Sequence, residues 1–129
     1  MEVWRVAHRT SKILGFPQGP LADYISDELD VMCRAHGSLD GKHPTPGEDD
    51  VLRWIAPHER CGFTDVGNLL RWFEPKWRPV LIAHGFCVYV YEVPRHALRV
   101  GECGQVVFDS AAALLMRIID LDDCEEEKL

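Results

Sequence analysis

The sequence predicts an α+β fold: one compact domain whose mixed or antiparallel sheet uses strands near 3–7, 86–93, 98–100 and 105–108. Helices near 21–34, 64–73, 79–84 and 110–121 pack on it. Three observations carry this reading. Positions 86–93 hold seven apolar residues in eight, β-branched and aromatic, which a strand shows when both its faces are covered. Apolar residues recur at helical spacing elsewhere, and 129 residues suffice for one core without staples. Residues 1–121 form the globular domain, and 122–129 read as a frayed acidic tail.

Taken in order, Val3–Ala7 is a strand with Val3, Arg5 and Ala7 on one face and Trp4, Val6 and His8 on the other. Arg9–Pro20 carries Gly15, Gly19 and two prolines, so it is a loop with room for one helical turn around Ser11–Leu14. Leu21, Ile25, Leu29 and Met32 mark a helix to about Arg34, with Pro20 suited to its first turn. His36–Asp50 is a long polar loop rich in Gly and Pro, of the kind that carries function or motion. Thr64 is positioned to cap a helix whose Val66, Leu69, Leu70 and Phe73 share a face. A short helix over 79–84 ends at Gly85 as C′, which feeds the central strand. Leu98–Val100 and Gln105–Phe108 bracket a glycine-flanked turn. Asp109 or Ser110 caps a final helix with Leu114, Leu115, Ile118 and Ile119 toward the core.

Charge narrows the partners. Lys and Arg number 14 against 21 Asp and Glu, for a net −7, so the basic footprint of a nucleic-acid binder is missing. Acid clusters at Asp27, Glu28 and Asp30, at Glu48, Asp49 and Asp50, and at 120–127. Such clusters are ordinarily a solvated surface; they also suit a basic protein face. No apolar run approaches a membrane span. Five cysteines, an odd number, with no secretory leader ahead of them, point to a reducing cytoplasm.

Complete catalytic motifs are missing. The cysteines and six histidines make no Cys-x-x-Cys pair and no His pair on one helical face, so no metal is expected. His58-Glu-Arg-Cys61 contains the residue types of a thiol nucleophile, but Cys61-Gly-Phe63 reads better as a tight packing corner. Glu92, the one charge in the central strand, either leaves the core for solvent or sits at the edge of a pocket.

Val3-Trp-Arg-Val-Ala-His8 with the 15–20 loop, Glu59-Arg-Cys-Gly-Phe63, Leu-Leu-Arg-Trp-Phe73, the 85–94 strand and Gln105-Val-Val-Phe108 together resemble a group of small uncharacterised proteins of phages and prophages. The resemblance spans most of the chain through motifs of structural kind. More distantly, the order of parts is similar to compact ADP-ribosyltransferase folds. That likeness implies an Arg or His on the first strand holding NAD, here Arg5 or His8, and a Ser or Tyr on the central strand, here Tyr89 or Tyr91. It also implies a Glu at the start of a late strand, where this chain has Gln105, with Glu102 in the turn before it and Glu92 as a further substitute. A glutamine brings no negative charge to a developing oxocarbenium.

Two expectations follow. In the first, the chain is an anti-defence protein, anti-CRISPR-like, that binds and inhibits or modulates a host protein in the host cytoplasm. It does so on a degenerate transferase scaffold, through its acidic residues, without a cofactor, direct nucleic-acid contact or a membrane. In the alternative it is an active NAD-dependent ADP-ribosyltransferase acting on a host target, with Arg5, His8, Glu92 and Glu102 catalytic.

Overall fold

The apolar run at 86–93 is strand β5 (Phe86–Glu92), buried along its length except at Glu92. Because both faces of β5 are covered, the N–H and C=O groups on both of its edges need strand partners. One is β1 (Glu2–His8), antiparallel with Glu2 opposite Glu92 and His8 opposite Phe86. The other is β8 (Leu114–Ile119), also antiparallel, with a register shift between Val90 and Tyr91. The computed structural model describes residues 1–13, 15–20, 52, 55–102 and 104–124; the helix expected near 21–34, the 36–50 loop and the acids at 27–30 and 48–50 lie outside them.

The short strands β2 (Lys12–Ile13) and β3 (Phe16–Pro17) pair with each other, turning at Gly15 with φ +78°. This hairpin replaces the helical turn expected at 11–14. After it come β4 (Glu59–Phe63), α1 (Val66–Trp72), α2 (Arg78–Ala83), β5, β6 (Leu98–Val100), β7 (Gln105–Asp109) and β8. The main sheet has six strands in the order β6-β7-β4-β1-β5-β8, and every pairing in it is antiparallel.

Period-two alternation splits the core into two layers. On one face Val6, Phe63, Phe86, Val88 and Val90 meet Leu69, Trp72 and Phe73 from α1 and the residue after it, Leu81 from α2, and Leu121. On the other, Val3, Ala7, Cys87, Tyr89, Tyr91, Val106 and Phe108 pack under Phe16 of the hairpin. The cap of α1 is Asp65, whose carboxylate accepts from the Asn68 N–H at 2.8 Å, one residue beyond the expected Thr64. Gly85, φ +86°, closes α2 as C′ and donates to the Ile82 carbonyl, as the sequence led us to expect.

Two elements differ in kind from expectation. Residues 61–63, read as a packing corner, belong to β4, with Cys61 opposite Val107 and Gly62 opposite Val106. Gly62 is required by close approach, since a Cβ there would stand 2.6 Å from Val3 Cγ1 and 3.0 Å from the Trp4 carbonyl. The helix expected over 110–121 is a 3-10 turn, Ser110–Ala112, followed by β8. A helix there would have left the outer edge of β5 unpaired and buried. Pairing that edge takes precedence over the helical spacing of Leu114, Leu115, Ile118 and Ile119.

Candidate functional site

Arg5 sits in mid-strand on the face of Val3 and Ala7, beside Tyr89, and is only 8% exposed. Its Nη1 donates to the Cys61 carbonyl at 2.7 Å and its Nη2 to the Pro17 carbonyl at 3.2 Å. Nε is buried with no acceptor. The guanidinium lies 5.8 Å from the centre of the Phe16 ring, and that of Arg60 lies 5.6 Å from the same centre. Burial pushes the Arg5 pKa down to about 10, with the positive charge of Arg60 adding to the fall, so Arg5 remains a cation at neutral pH. No described carboxylate forms an ion pair with it. Glu59, on the facing strand β4, accepts from Arg99 at 3.0 Å and from the Ala56 N–H at 2.9 Å.

The local cause is a parting of strands. The ladder between β1 and β4 has the single partner pair Trp4–Phe63, and beyond it the Arg5 side chain takes the Cys61 carbonyl. A cavity of about 380 Å³ opens there. Arg5, Arg60, Gly19 and Gln105 contribute polar atoms or backbone to it; Ile55, Phe63, Trp72 and Phe73 make its apolar wall. Gly19 packs against the guanidinium, since a Cβ there would stand 3.0 Å from Arg5 Nη2.

Of the four residues expected to be catalytic, only Arg5 lines this cavity. His8 lies at the far end of β1, where its Nδ1 accepts from the backbone N–H groups of Thr10 and Ser11 at 3.1 and 2.9 Å, and so shapes the turn into the hairpin. Glu92, opposite Glu2, is six strand residues from the Phe86–His8 pair, roughly 20 Å away. It is exposed, lies on the face opposite Arg5, and its carboxylate accepts from the amino group of Met1 at 2.7 Å. Glu102 is exposed in the β6–β7 turn. Gln105, standing where the transferase likeness wants Glu, does share the cavity with Arg5. The tyrosines are occupied in the inner layer: Tyr89 donates to the His8 carbonyl at 2.9 Å, and Tyr91 stacks on Phe16 at 5.2 Å.

Cys61 is half-buried within β4, and burial raises its thiol pKa, which opposes thiolate formation. Among the described residues, no cluster of three or more His, Cys, Asp or Glu is arranged to hold a metal, and no helix is long and apolar enough to cross a membrane. A broader cavity of about 820 Å³ lies between Glu2, Asp65, Asp123, Arg117 and Trp4. Arg117 covers the Trp4 ring at 5.2 Å.

The second feature is an uncovered edge. Leu114, Leu115, Met116 and Ile118 of β8 are 64, 45, 56 and 48% exposed on an outer strand, with exposed Arg117 among them. The opposite edge, β6, is three residues long, carries Arg99, and follows Pro94 and Arg95, the usual protections of an edge. Leu114, Leu115, Ile118 and Ile119 are visible in the sequence but fit a helix's buried face, so nothing local signals the exposed surface.

These features define a small acidic antiparallel α+β domain with a buried arginine at an apolar cavity and an edge strand that exposes apolar side chains. Residues 1–122 match the family model described as Bacteriophage T4 Y00F protein, and the chain belongs to that family. No curated protein and no solved structure matches it.

Proposed function

We propose that this phage-family protein acts by binding a host protein, in an anti-defence, anti-CRISPR-like role, and that it does so by adding a strand of that partner to the β8 edge. The observation that carries this is the row Leu114, Leu115, Met116 and Ile118 on an edge strand. An edge of this kind offers unpaired backbone groups and apolar side chains together, the two requirements of strand addition. Charge favours a partner segment that is apolar with basic flanks. The chain carries net −7, and exposed Asp120, Asp122 and Asp123 follow β8 directly. The same acidity works against a second copy in that place.

The alternative, NAD-dependent transfer through Arg5, His8, Glu92 and Glu102, is favoured by one observation, the cavity at Arg5. The dispersal of the other three and the neutral Gln105 beside Arg5 support a degenerate scaffold instead. Mixed with NAD, the protein is expected to release no nicotinamide; release that disappears in Arg5→Ala would restore the enzyme.

Capture from host lysate with wild type and with the Leu115→Lys/Ile118→Lys variant tests the binding reading. A protein held by wild type, lost from the variant, weakened by salt and rebound after separate purification is the expected result. Identical captures would contradict it. So would sedimentation of wild type as a dimer and of the variant as a monomer, which would assign the edge to a second copy.

A further inference from the structure

We infer that the cavity between β1 and β4 binds a small organic anion, with its carboxylate or phosphate on Arg5 and its apolar body against Phe63, Trp72, Phe73 and Ile55. The inference is independent of the β8 surface.

The first support is an imbalance of donors. A guanidinium has five N–H groups. Here two are bonded to backbone carbonyls, at Cys61 and Pro17, and Nε has no acceptor while 92% of the residue's surface is withdrawn from solvent. Neutral carbonyls orient the group without neutralising it. A buried cation lacking a counter-charge is costly, and a bidentate anion would satisfy both charge and donors.

The second support is the shape of the opening. Gly19 packs close to Nη2, where a side chain would crowd the guanidinium, and Gly62 lets β4 come close to β1 just before the strands part. Arg60, which like Arg5 lies against the Phe16 ring, adds a second positive charge at the cavity wall. Its guanidinium is held by the carbonyls of Pro57, Glu59 and Ile13, so it too is fixed in place by neutral acceptors. Glu59, which also lines the cavity, is turned to Arg99. The walls are apolar and aromatic, which selects a ligand with a ring or short hydrocarbon body over inorganic phosphate.

Three probes with one body test this in the full chain by calorimetric titration: 1-naphthoate, 1-naphthyl phosphate and 1-naphthalenemethanol. The expected result is that at least one of the anions binds, with the neutral alcohol at least about tenfold weaker. Preference for naphthoate would name a carboxylic acid and preference for the ester a phosphate; equal binding would show that charge alone is read. Arg5→Met should abolish the preference for anions. Should that variant fail to fold, Ile55→Trp, which fills the cavity from its exposed rim, should block the anions with Arg5 intact. The inference falls if the alcohol binds as well as the anions. It also falls if neither anion binds at millimolar concentration, or if the folded variants retain anion binding unchanged.

Discussion

Individual residues show how much of this domain is set by close approach. At Gly104, φ is +76° and an added Cβ would fall 2.4 Å from the Asn68 amide, which is itself tied to Thr64 and Asp65 at the start of α1. Gly15 has a similar φ, +78°, with nothing within 4 Å. Gly15→Ala therefore isolates the backbone term, about 1 kcal/mol, while Gly104→Ala adds the clash and disturbs the helix cap, for about 2–3 kcal/mol. Chemical denaturation of the two variants checks the order.

Cys124 provides a pH signature. Burial pushes its thiol pKa up to about 11 from the ordinary value near 9, with Asp123 adding to the rise. A proton held more tightly in the folded state stabilises it, so this contribution is whole below pH 9 and is lost as pH rises through about 11. Two pH units correspond to about 2–3 kcal/mol at most. Cys124→Ala should flatten the fall in stability between those values in urea unfolding measured across the range. An unchanged alkaline limb would contradict the assignment.

At the scale of elements, the strands of this sheet differ in how far their own residues declare them. β5 is legible because its apolar run admits no exposed face, and Gly85 because a helix end and a strand start meet there. The face of α1 is legible from Val66, Leu69 and Phe73. β4 is not: Glu-Arg-Cys-Gly-Phe lacks alternation, and its strand character comes from pairing with β7, a contact of long sequence separation. β8 is illegible for a different reason. Leu114, Leu115, Ile118 and Ile119 fit a helix face, and only the unpaired edge of β5 makes them a strand. Arg5 was placed correctly on its strand, but nothing local signals that a charged side chain will be buried without a carboxylate.

This division predicts opposite mutational costs for similar leucines. Leu81 of α2 is fully buried in the first core layer, so Leu81→Ala should cost about 2–5 kcal/mol. Leu115 and Ile118 are half-exposed, and Leu115→Lys/Ile118→Lys should stay within about 1 kcal/mol of wild type. Thermal and urea unfolding measure both. A large loss in the lysine variant would mean that β8 is held by its side chains, and that its surface belongs to the core.

For the molecule as a whole, the sheet divides labour. Its centre, β1 and β5, packs into both core layers and carries the stability; a wedge between β1 and β4 holds buried Arg5; and the outer strand β8 presents apolar surface to solvent. On a chain of net −7, this edge carries one exposed cation, Arg117, and the proposed partner segment is apolar with basic flanks. The direct test is hydrogen exchange of the protein with and without the partner obtained by capture. Strand addition predicts that amides of 114–119 gain protection in the complex while α2 stays as it was. Protection confined to another surface, with exchange in β8 unchanged, would contradict it.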